Sequence, residues 1–472
     1  MMPNKKNKMA IIVSYYAGET YGLLGPQMAA TVIQDNTSYE CIVLAVARED
    51  DKTALKKGLA DHFGGERPVV GFSTLSGRQD LFTLAKELKD EGAFTILAGP
   101  QADVDYIGEK GWEDHDYRFK GVSDQFSLAL HGPAEQAIEL LQDLDAIKGG
   151  EISGLLCLSA EGTMLRSPKK AWDQRFLAKV SWDNIYRVGK EGFEPIKINT
   201  GQVLQQIGCP YAAKARWVEI DYPPDLAEKS GRKVRTWLKG CSFCDVAVDK
   251  GFYGALEIET VLAQIDCLPE TVDGRKIPFE LINENALPGL PPLLEKLIER
   301  GIRLTLINLT LRADWFLKGE RWLREALALA ASMGTRILLA SIGFESFDNR
   351  ILNNLNKGLN VEVNLRAIQL MRRLKEEFPD GWGYSRVDGA IHGLIHPTPW
   401  DTEETWVNIQ SIINRRGLAA DILPDHSIPL IIHHASGLGD WIREVERKEG
   451  CRFGRLGSII EWWEEGGMTF QP

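Results

Sequence analysis

The runs Ile207-Gly208-Cys209-Pro210-Tyr211 and Lys239-Gly240-Cys241-Ser242-Phe243-Cys244-Asp245 decide how this chain is read. Residues 213–240 separate the two fragments. With that stretch removed, the text reads Gly-Cys-Pro-Tyr-Ala-Cys-Ser-Phe-Cys-Asp, a C-x3-C-x2-C loop. Thiolates are soft ligands, suited to zinc or to an iron–sulfur cluster. Cys241 and Cys244 alone also read as a redox pair or half a zinc site. A zinc site needs two more Cys or His at a similarly close spacing, and none follows. Trp237 stands where an uninterrupted motif would begin, so the unsplit motif is absent. The intervening segment alternates apolar and polar residues over Ala215–Tyr222 and again over Lys233–Leu238. Pro223, Pro224, Asp225, Ser230 and Gly231 lie between them, all turn or loop formers. That pattern predicts a β-hairpin. A hairpin leaves its ends about 5 Å apart, one strand spacing, and so returns Cys241 to Cys209.

Composition narrows the classes. A chain of 472 residues holds two or three domains. Its net charge of −11 disfavours general binding to nucleic acid or anionic membranes, which need a basic face. No apolar run reaches the length of a membrane span. Lysines precede Met9-Ala10-Ile11-Ile12-Val13, as in a signal peptide, but the run is short and lacks a clear cleavage site. The reading preferred is a polar tail entering a buried strand. Seven thinly spread cysteines fit a reducing cytoplasm rather than a disulfide framework.

Strands and helices alternate through the first third. Strands are expected at Ala10–Ser14, Cys41–Ala47, Pro68–Thr74, Phe94–Gly99 and Tyr117–Gly121, and helices near Gly25–Gln34, Asp51–Phe63, Gln79–Glu91 and Pro133–Leu144. Such alternation predicts a doubly wound parallel sheet, with ligands beyond the carboxyl ends of the strands. Residues 146–200 read as a connector with a small hairpin at Ile152–Leu158 and Gly162–Leu165. The alternation then resumes about six times. Strands are expected at Val203–Ile207, Phe279–Ile282, Arg303–Leu311, Arg336–Ile342, Val387–Ile395 and Ile422–Ile432. The intervening helices are Ile258–Asp266, Pro291–Arg300, Glu320–Met333, Asn360–Lys375 and Thr402–Asn414. The pattern fits an incomplete TIM-type barrel.

The split cysteine loop resembles the cluster loop of radical S-adenosylmethionine (SAM) enzymes. Polar strand ends add to the likeness in chain order. They are Asn283-Glu284, Arg312-Ala313-Asp314, Gly343-Phe344-Glu345-Ser346 and Leu355-Asn356-Lys357-Gly358. The first domain resembles the cobalamin-binding domain preceding many radical SAM barrels, through Val69–Ser76, Leu97-Ala98-Gly99-Pro100-Gln101 and Phe119–Asp124. The implied architecture is α/β: a doubly wound, flavodoxin- or Rossmann-like cobalamin-binding domain (1–145), a connector (146–200), a partial (β/α)6 radical SAM barrel (201–435, with the 213–240 hairpin inserted in its cluster loop), and a tail (436–472) packed over the barrel end.

The resemblance implies that Cys209, Cys241 and Cys244 hold three irons of a [4Fe–4S] cluster and that SAM chelates the fourth. It implies that Asn283 or Glu284 receives the SAM amino group, that Arg312 grips its carboxylate, and that Glu345 and Ser346 lie along its ribose. It places cobalamin near Tyr16, Gly18, Ser73, Thr74, Gly99, Pro100, Gln101 and Gly121. The Asp-x-His-x-x-Gly motif that gives cobalt a histidine is missing, so a cobalt face free of histidine is expected, or else a vestigial domain. His115 reads as a solvated loop residue.

Two departures concern Gly393-Leu394-Ile395-His396-Pro397-Thr398-Pro399-Trp400 and the helix cap after it, expected as Asp401 or Thr402 with a following Glu in a capping box. The new turn places His396 and Trp400 at the barrel mouth. His396 reads either as a substrate acid or base or as a structural histidine, and His434 as structural. The chemistry implied first is methylation of an unactivated carbon or phosphorus through a 5′-deoxyadenosyl radical and methylcobalamin. The alternatives are ring contraction, cyclisation or oxidation without net methyl transfer, or a non-catalytic cobalamin- or SAM-binding sensor. Implied partners are a small-molecule substrate, with a protein or peptide as the alternative, and an electron donor such as flavodoxin or ferredoxin. Nucleic acid is not among them.

Overall fold

Strand β1 (Asn7–Ser14) carries five consecutive buried residues, Met9 to Val13. An uninterrupted apolar run of that kind belongs to a parallel strand covered on both faces. β1 pairs in parallel with β2 (Tyr39–Val46) on one side and β3 (Val69–Ser73) on the other. Outward from β3 lie β4 (Phe94–Ala98) and β5 (Leu128–Leu130), also parallel. Helices α1 (Leu24–Asn36), α2 (Lys52–Phe63), α3 (Gln79–Asp90), α4 (Gly99–Ile107) and α5 (Gln136–Gln142) alternate with these strands. Asp51 caps α2 by accepting from the Thr53 N–H, and Gly64 ends it in the left-handed conformation. Ile12, Leu44, Val70, Phe72, Leu81, Phe82 and Phe126 form the core. The computed structural model describes residues 7–15, 23–74, 77–107, 125–142, 144, 152–158, 164–226, 232–244, 252–456, 458–464 and 467–468.

The order 2-1-3-4-5 reverses direction between β1 and β3, which is the topological switch point of a flavodoxin-like sheet. Residues expected as a connector enlarge this sheet. β6 (Leu155–Leu158) and β7 (Met164–Arg166) form the expected hairpin and add to β5 in antiparallel fashion. β8 (Ile185–Val188) pairs in parallel with β2, and β9 (Phe193–Pro195) closes the far edge. Nine strands result. The stretch 146–200 looked irregular because its strands have only three or four residues, too few to show a period. The strand expected at Tyr117–Gly121 lies outside the described residues.

The chain divides into two compact units, residues 1–202 with 263–269 and 456–458, and residues 203–262 with 270–455 and 459–472. In the second, β10 (Gly201–Leu204) stands beside β15 (Phe279–Ile282), followed by β16 (Leu306–Arg312), β17 (Arg336–Gly343) and β18 (Trp382–Gly383). Strands β15 to β18 run parallel. Between β10 and β15 in sequence come β11 (Gln206–Gly208), β12 (Ala215–Asp221), β13 (Lys233–Lys239) and β14 (Phe252–Ala255). One face of β15–β17 is apolar: Phe279, Leu281, Ile307, Leu309, Ile337 and Leu339 are buried. Register places Glu280 opposite Asn308 and Thr310 opposite Ser341, so the other face is polar.

Two expected strands are corrected. Val387–Ile395 is a short 3-10 turn, Arg386–Asp388, followed by β19 (Leu394–Ile395). Ile422–Ile432 reduces to β20 (Ser427–Ile428), parallel to β19, and the start of β21 (Ile432–His433). Pro424 and Pro429 interrupt the second apolar run and remove ladder donors. A parallel bridge from Glu345 to Leu394 joins β17 to β19. The helix after β19 is Glu403–Arg416, capped by Thr402 with Thr405 as its box partner rather than a glutamate.

Candidate functional site

The predicted ribbon is present. β12 and β13 pair antiparallel from Ala215↔Lys239 to Asp221↔Lys233. Its inner residues Ile220, Val234, Thr236 and Leu238 are buried. The Gly437–Glu449 helix of the tail packs against this face; a Cβ on Gly437 would fall 2.8 Å from Leu238 Cδ2. The tail helix therefore rests on the insertion.

Ribbon pairing brings the ends of the 28-residue excursion together. The Cys241 thiol then lies 3.4 Å from Arg312 Nη1, at the carboxyl end of β16. Arg312 is 4% exposed. Its Nε is 3.2 Å from Asp314, its Nη2 donates to the Lys357 carbonyl, and its guanidinium lies 4.1 Å over the Tyr211 ring. Burial pushes the Cys209 thiol up, the Tyr211 backbone N–H pulls it down, Glu284 and Cys241 push it further up, and Arg312 opposes them. Cys209, Cys241, Glu284 and Arg312 thus share one electrostatic neighbourhood.

The cysteine loop is braced from behind by residues 354–357. Ser242 donates its N–H to Leu355 O at 3.0 Å and its hydroxyl to Asn354 O at 2.8 Å. Asn356 donates to Gly240 O at 2.6 Å and adopts φ 47. Tyr211 Oη donates to Asn356 O at 2.9 Å. Gly358 has φ +68, and a Cβ there would collide with the Tyr211 hydroxyl.

Glu345 follows β17 with φ 59, an uncommon conformation for a residue other than glycine. Its carboxylate lies 3.0 Å from Lys357 Nζ. Lys357 is 3% exposed. Burial acts to lower its pKa, but Glu345 and Cys241 outweigh burial and the net shift is upward. Gly343 leaves room for this pair: a Cβ there would be 2.7 Å from Glu345 Oε1 and 3.0 Å from Lys357 Nζ. Burial raises the Glu284 carboxyl, partly offset by Lys357 and Arg312. Glu284 also keeps accessible surface. A side chain both wetted and hemmed in by protein stands on the floor of a recess.

The predicted residues therefore separate. Cys209, Cys241, Glu284, Arg312 and Glu345 converge, and Cys244 follows on the same turn, its N–H donating to Cys241 O at 3.2 Å. Asn283 is buried and donates to Gln205 at 2.8 Å. Ser346 is buried and its hydroxyl accepts from the Asp348 N–H. Both hold the backbone. Tyr211 and Lys357 join the site without having been singled out; Leu355-Asn356-Lys357-Gly358 carried the signal for the second.

His396 stands one residue past β19, whose Ile395 N–H donates to Glu345 O at 2.8 Å. Its Nδ1 is 3.2 Å from Asp401 Oδ2, and its ring stacks on Trp406 at 3.8 Å. Asp401 thus favours the proton on Nδ1 and leaves Nε2 as the acceptor. Trp400, expected at the mouth, is fully buried and donates to Asp221 O at 2.8 Å, because it packs against Trp441. His434 is buried, as expected for a structural histidine.

In the first unit, Ser73 and Gly99 meet at the ends of β3 and β4. Gly99 has φ +69, and a Cβ there would fall 2.5 Å from Ser73 Oγ. Pro100 is exposed beside it. Thr74 Oγ1 is buried and lacks a hydrogen-bond partner among the described residues. Gln101 is fully buried, with its amide donating to Asp105 at 2.8 Å, so it holds α4 in place. Tyr16, Gly18, Gly121 and His115 lie outside the described residues. His131, at the end of β5, is enclosed between Asp103 at 2.6 Å and the stacked Tyr106 ring.

Three thiols near one arginine fit an iron–sulfur cluster better than a single ion. Among the described residues no three His, Cys, Asp or Glu are close enough to hold one metal ion. A zinc ion draws its ligands to about 2.3 Å, whereas each cluster thiolate binds a different iron. No family model matches the sequence, and no curated protein does. Solved structures do. The chain shares its fold with the cobalamin-dependent SAM radical enzyme OxsB. With OxsB holding aqua-cobalamin and SAM, the TM-score is 0.58 at 14% identity, over 97% of this chain and 64% of that one. With aqua-cobalamin alone bound, the TM-score is 0.56 at 13% identity over the same shares. A selenomethionine-labelled apo form gives 0.58 at 14%. The chain therefore spans less than two thirds of the OxsB chain.

Proposed function

We propose that this protein is a cobalamin-dependent radical SAM enzyme, with a partial (β/α)6 barrel as its second unit, and that it methylates an unactivated carbon or phosphorus. The observation that carries the reading is the gathering of Cys209 and Cys241 beside Arg312, Glu284 and the Glu345–Lys357 pair at the carboxyl ends of β15–β17. The fold shared with OxsB supports it. Cys209, Cys241 and Cys244 would ligate a [4Fe–4S] cluster. When bound, the cluster supplies the electron that cleaves SAM to a 5′-deoxyadenosyl radical, and cobalamin supplies the methyl group.

The chain's own groups then do four things. Glu284 accepts the SAM ammonium. Arg312, held by Asp314 and stacked on Tyr211, offers its remaining N–H groups to the carboxylate. Glu345, locked by Lys357, borders the ribose. His396, oriented by Asp401, presents Nε2 to a substrate proton. In the first unit the small residues at Ser73 and Gly99, with the unpartnered Thr74 hydroxyl, suit close approach of a corrinoid.

Anaerobic reconstitution with iron, sulfide and cobalamin tests the proposal. With reductant, SAM should yield 5′-deoxyadenosine, and methyl transfer should also yield S-adenosylhomocysteine. Deoxyadenosine without S-adenosylhomocysteine would turn the reading to cobalamin chemistry without net methyl transfer. Neither product would turn it to a sensor.

A further inference from the structure

The outer face of the β12–β13 ribbon is unlike the rest of this acidic chain. Between residues 214 and 239 there are seven Lys or Arg against four Asp or Glu, in a protein of net charge −11. Register places Trp217 opposite Trp237 on that face, with ring centroids 5.3 Å apart. They are 56% and 53% exposed. Arg235 lies 4.7 Å over the Trp217 ring, and Lys239 is exposed next to the cysteine fragment. The inner face is covered by the tail helix, so the outer aromatic pair has no role in the core.

This face connects to the site through packed groups. Arg216, adjacent to Trp217, lies 4.3 Å over the Tyr211 ring. The opposite partner of Tyr211 is Arg312 at 4.1 Å, and Arg312 reaches Cys241 Sγ at 3.4 Å. An unbroken run of contacts leads from the exposed tryptophans to a cysteine.

From this we infer that the Trp217–Trp237 face docks an acidic one-electron carrier protein of the flavodoxin or ferredoxin class. The inference rests on the radical SAM reading and names where its reductant binds. One electron leaves the reduced carrier and enters the cluster at Cys209, Cys241 and Cys244. The carrier is oxidised by one electron, the cluster is reduced by one, and no bond or proton moves. The surface suits that task. Transient redox complexes are small, Trp and Arg dominate binding energy, and opposite charges speed encounter.

The test is calorimetric titration of the reconstituted holoprotein with an oxidised flavodoxin at low and high salt. Wild-type binding should weaken as salt rises. Trp217→Ala/Trp237→Ala should weaken it about tenfold or more, as loss of a central aromatic anchor does. Arg235→Glu/Lys239→Glu should do the same while leaving the aromatic pair in place. Flavodoxin-driven deoxyadenosine formation should fall in step, and dithionite-driven formation should not change. Binding unaffected by both double variants would overturn the inference. So would sedimentation showing that the face joins two copies of this chain and that flavodoxin does not bind. If dithionite yields no deoxyadenosine in the wild type, the radical SAM reading fails, and the titration still decides the docking surface.

Discussion

Arg312 links more of the site than any other side chain. It touches Cys241, Asp314, Lys357 and Tyr211 while almost wholly enclosed. A lysine carries the charge but neither the planar stack nor several donors in one plane. Arg312→Lys should lower unfolding free energy by about 2 kcal/mol, through acceptors left unpaired; urea denaturation checks this. The Glu345–Lys357 pair makes a sharper case. Glu345→Ala leaves a buried ammonium alone and should cost about 3–5 kcal/mol. Glu345→Gln with Lys357→Met removes both charges and should recover part of that loss. Equal destabilisation in the two proteins would mean the pair is not electrostatically coupled.

His392 reports on the core near β19. Burial lowers its pKa to about 4, opposed by its bond to the Tyr384 carbonyl and by Asp421. Nε2 donates to that carbonyl at 2.6 Å, and Nδ1 has no partner among the described residues. The folded protein therefore prefers the neutral ring, and the unfolded chain takes up the proton first. Stability should be complete above the unfolded pKa of about 6.5 and should fall as pH drops toward 4, by up to about 3 kcal/mol. His392→Gln keeps a donor without titrating, so urea midpoints between pH 7 and 4 should flatten in that variant. An unchanged pH slope would show that another group governs it.

At the scale of elements, Gly343 shows how a strand end is shaped around a pair. Gly343→Ala should push Glu345 and Lys357 apart and weaken SAM binding about tenfold, read by equilibrium dialysis of the reconstituted protein. Unchanged affinity would separate the pair from the SAM site. The ribbon was legible because period-two alternation flanked a proline turn, and it formed with the expected segments. The sheet of the first unit was legible through β4 for the same reason, its runs being long and apolar. β6 to β9 were not, since strands of three or four residues carry no period. The 382–432 region misled because its apolar stretches are broken by Pro397, Pro399, Pro424 and Pro429.

Over the whole molecule, residue type revealed the site better than residue burial. Cysteine, arginine and glutamate at strand ends pointed to the right place. What sequence could not separate was Glu284 from Asn283, or Glu345 from Ser346. In each pair one side chain faces the recess while its neighbour turns to brace the backbone, a choice made by tertiary packing. Tyr211 escaped notice because its role depends on Arg216 and Arg312, distant in sequence and adjacent only once the ribbon closes. The central claim is that this closure builds one cluster site from two fragments. Electron paramagnetic resonance of the reduced, reconstituted protein, with iron counted in the same sample, tests it most directly. Wild type should show a [4Fe–4S] signal that changes when SAM is added, and Cys209→Ala should lose it together with most of the iron. A Cys209→Ala protein that keeps the full, SAM-responsive signal would contradict the account.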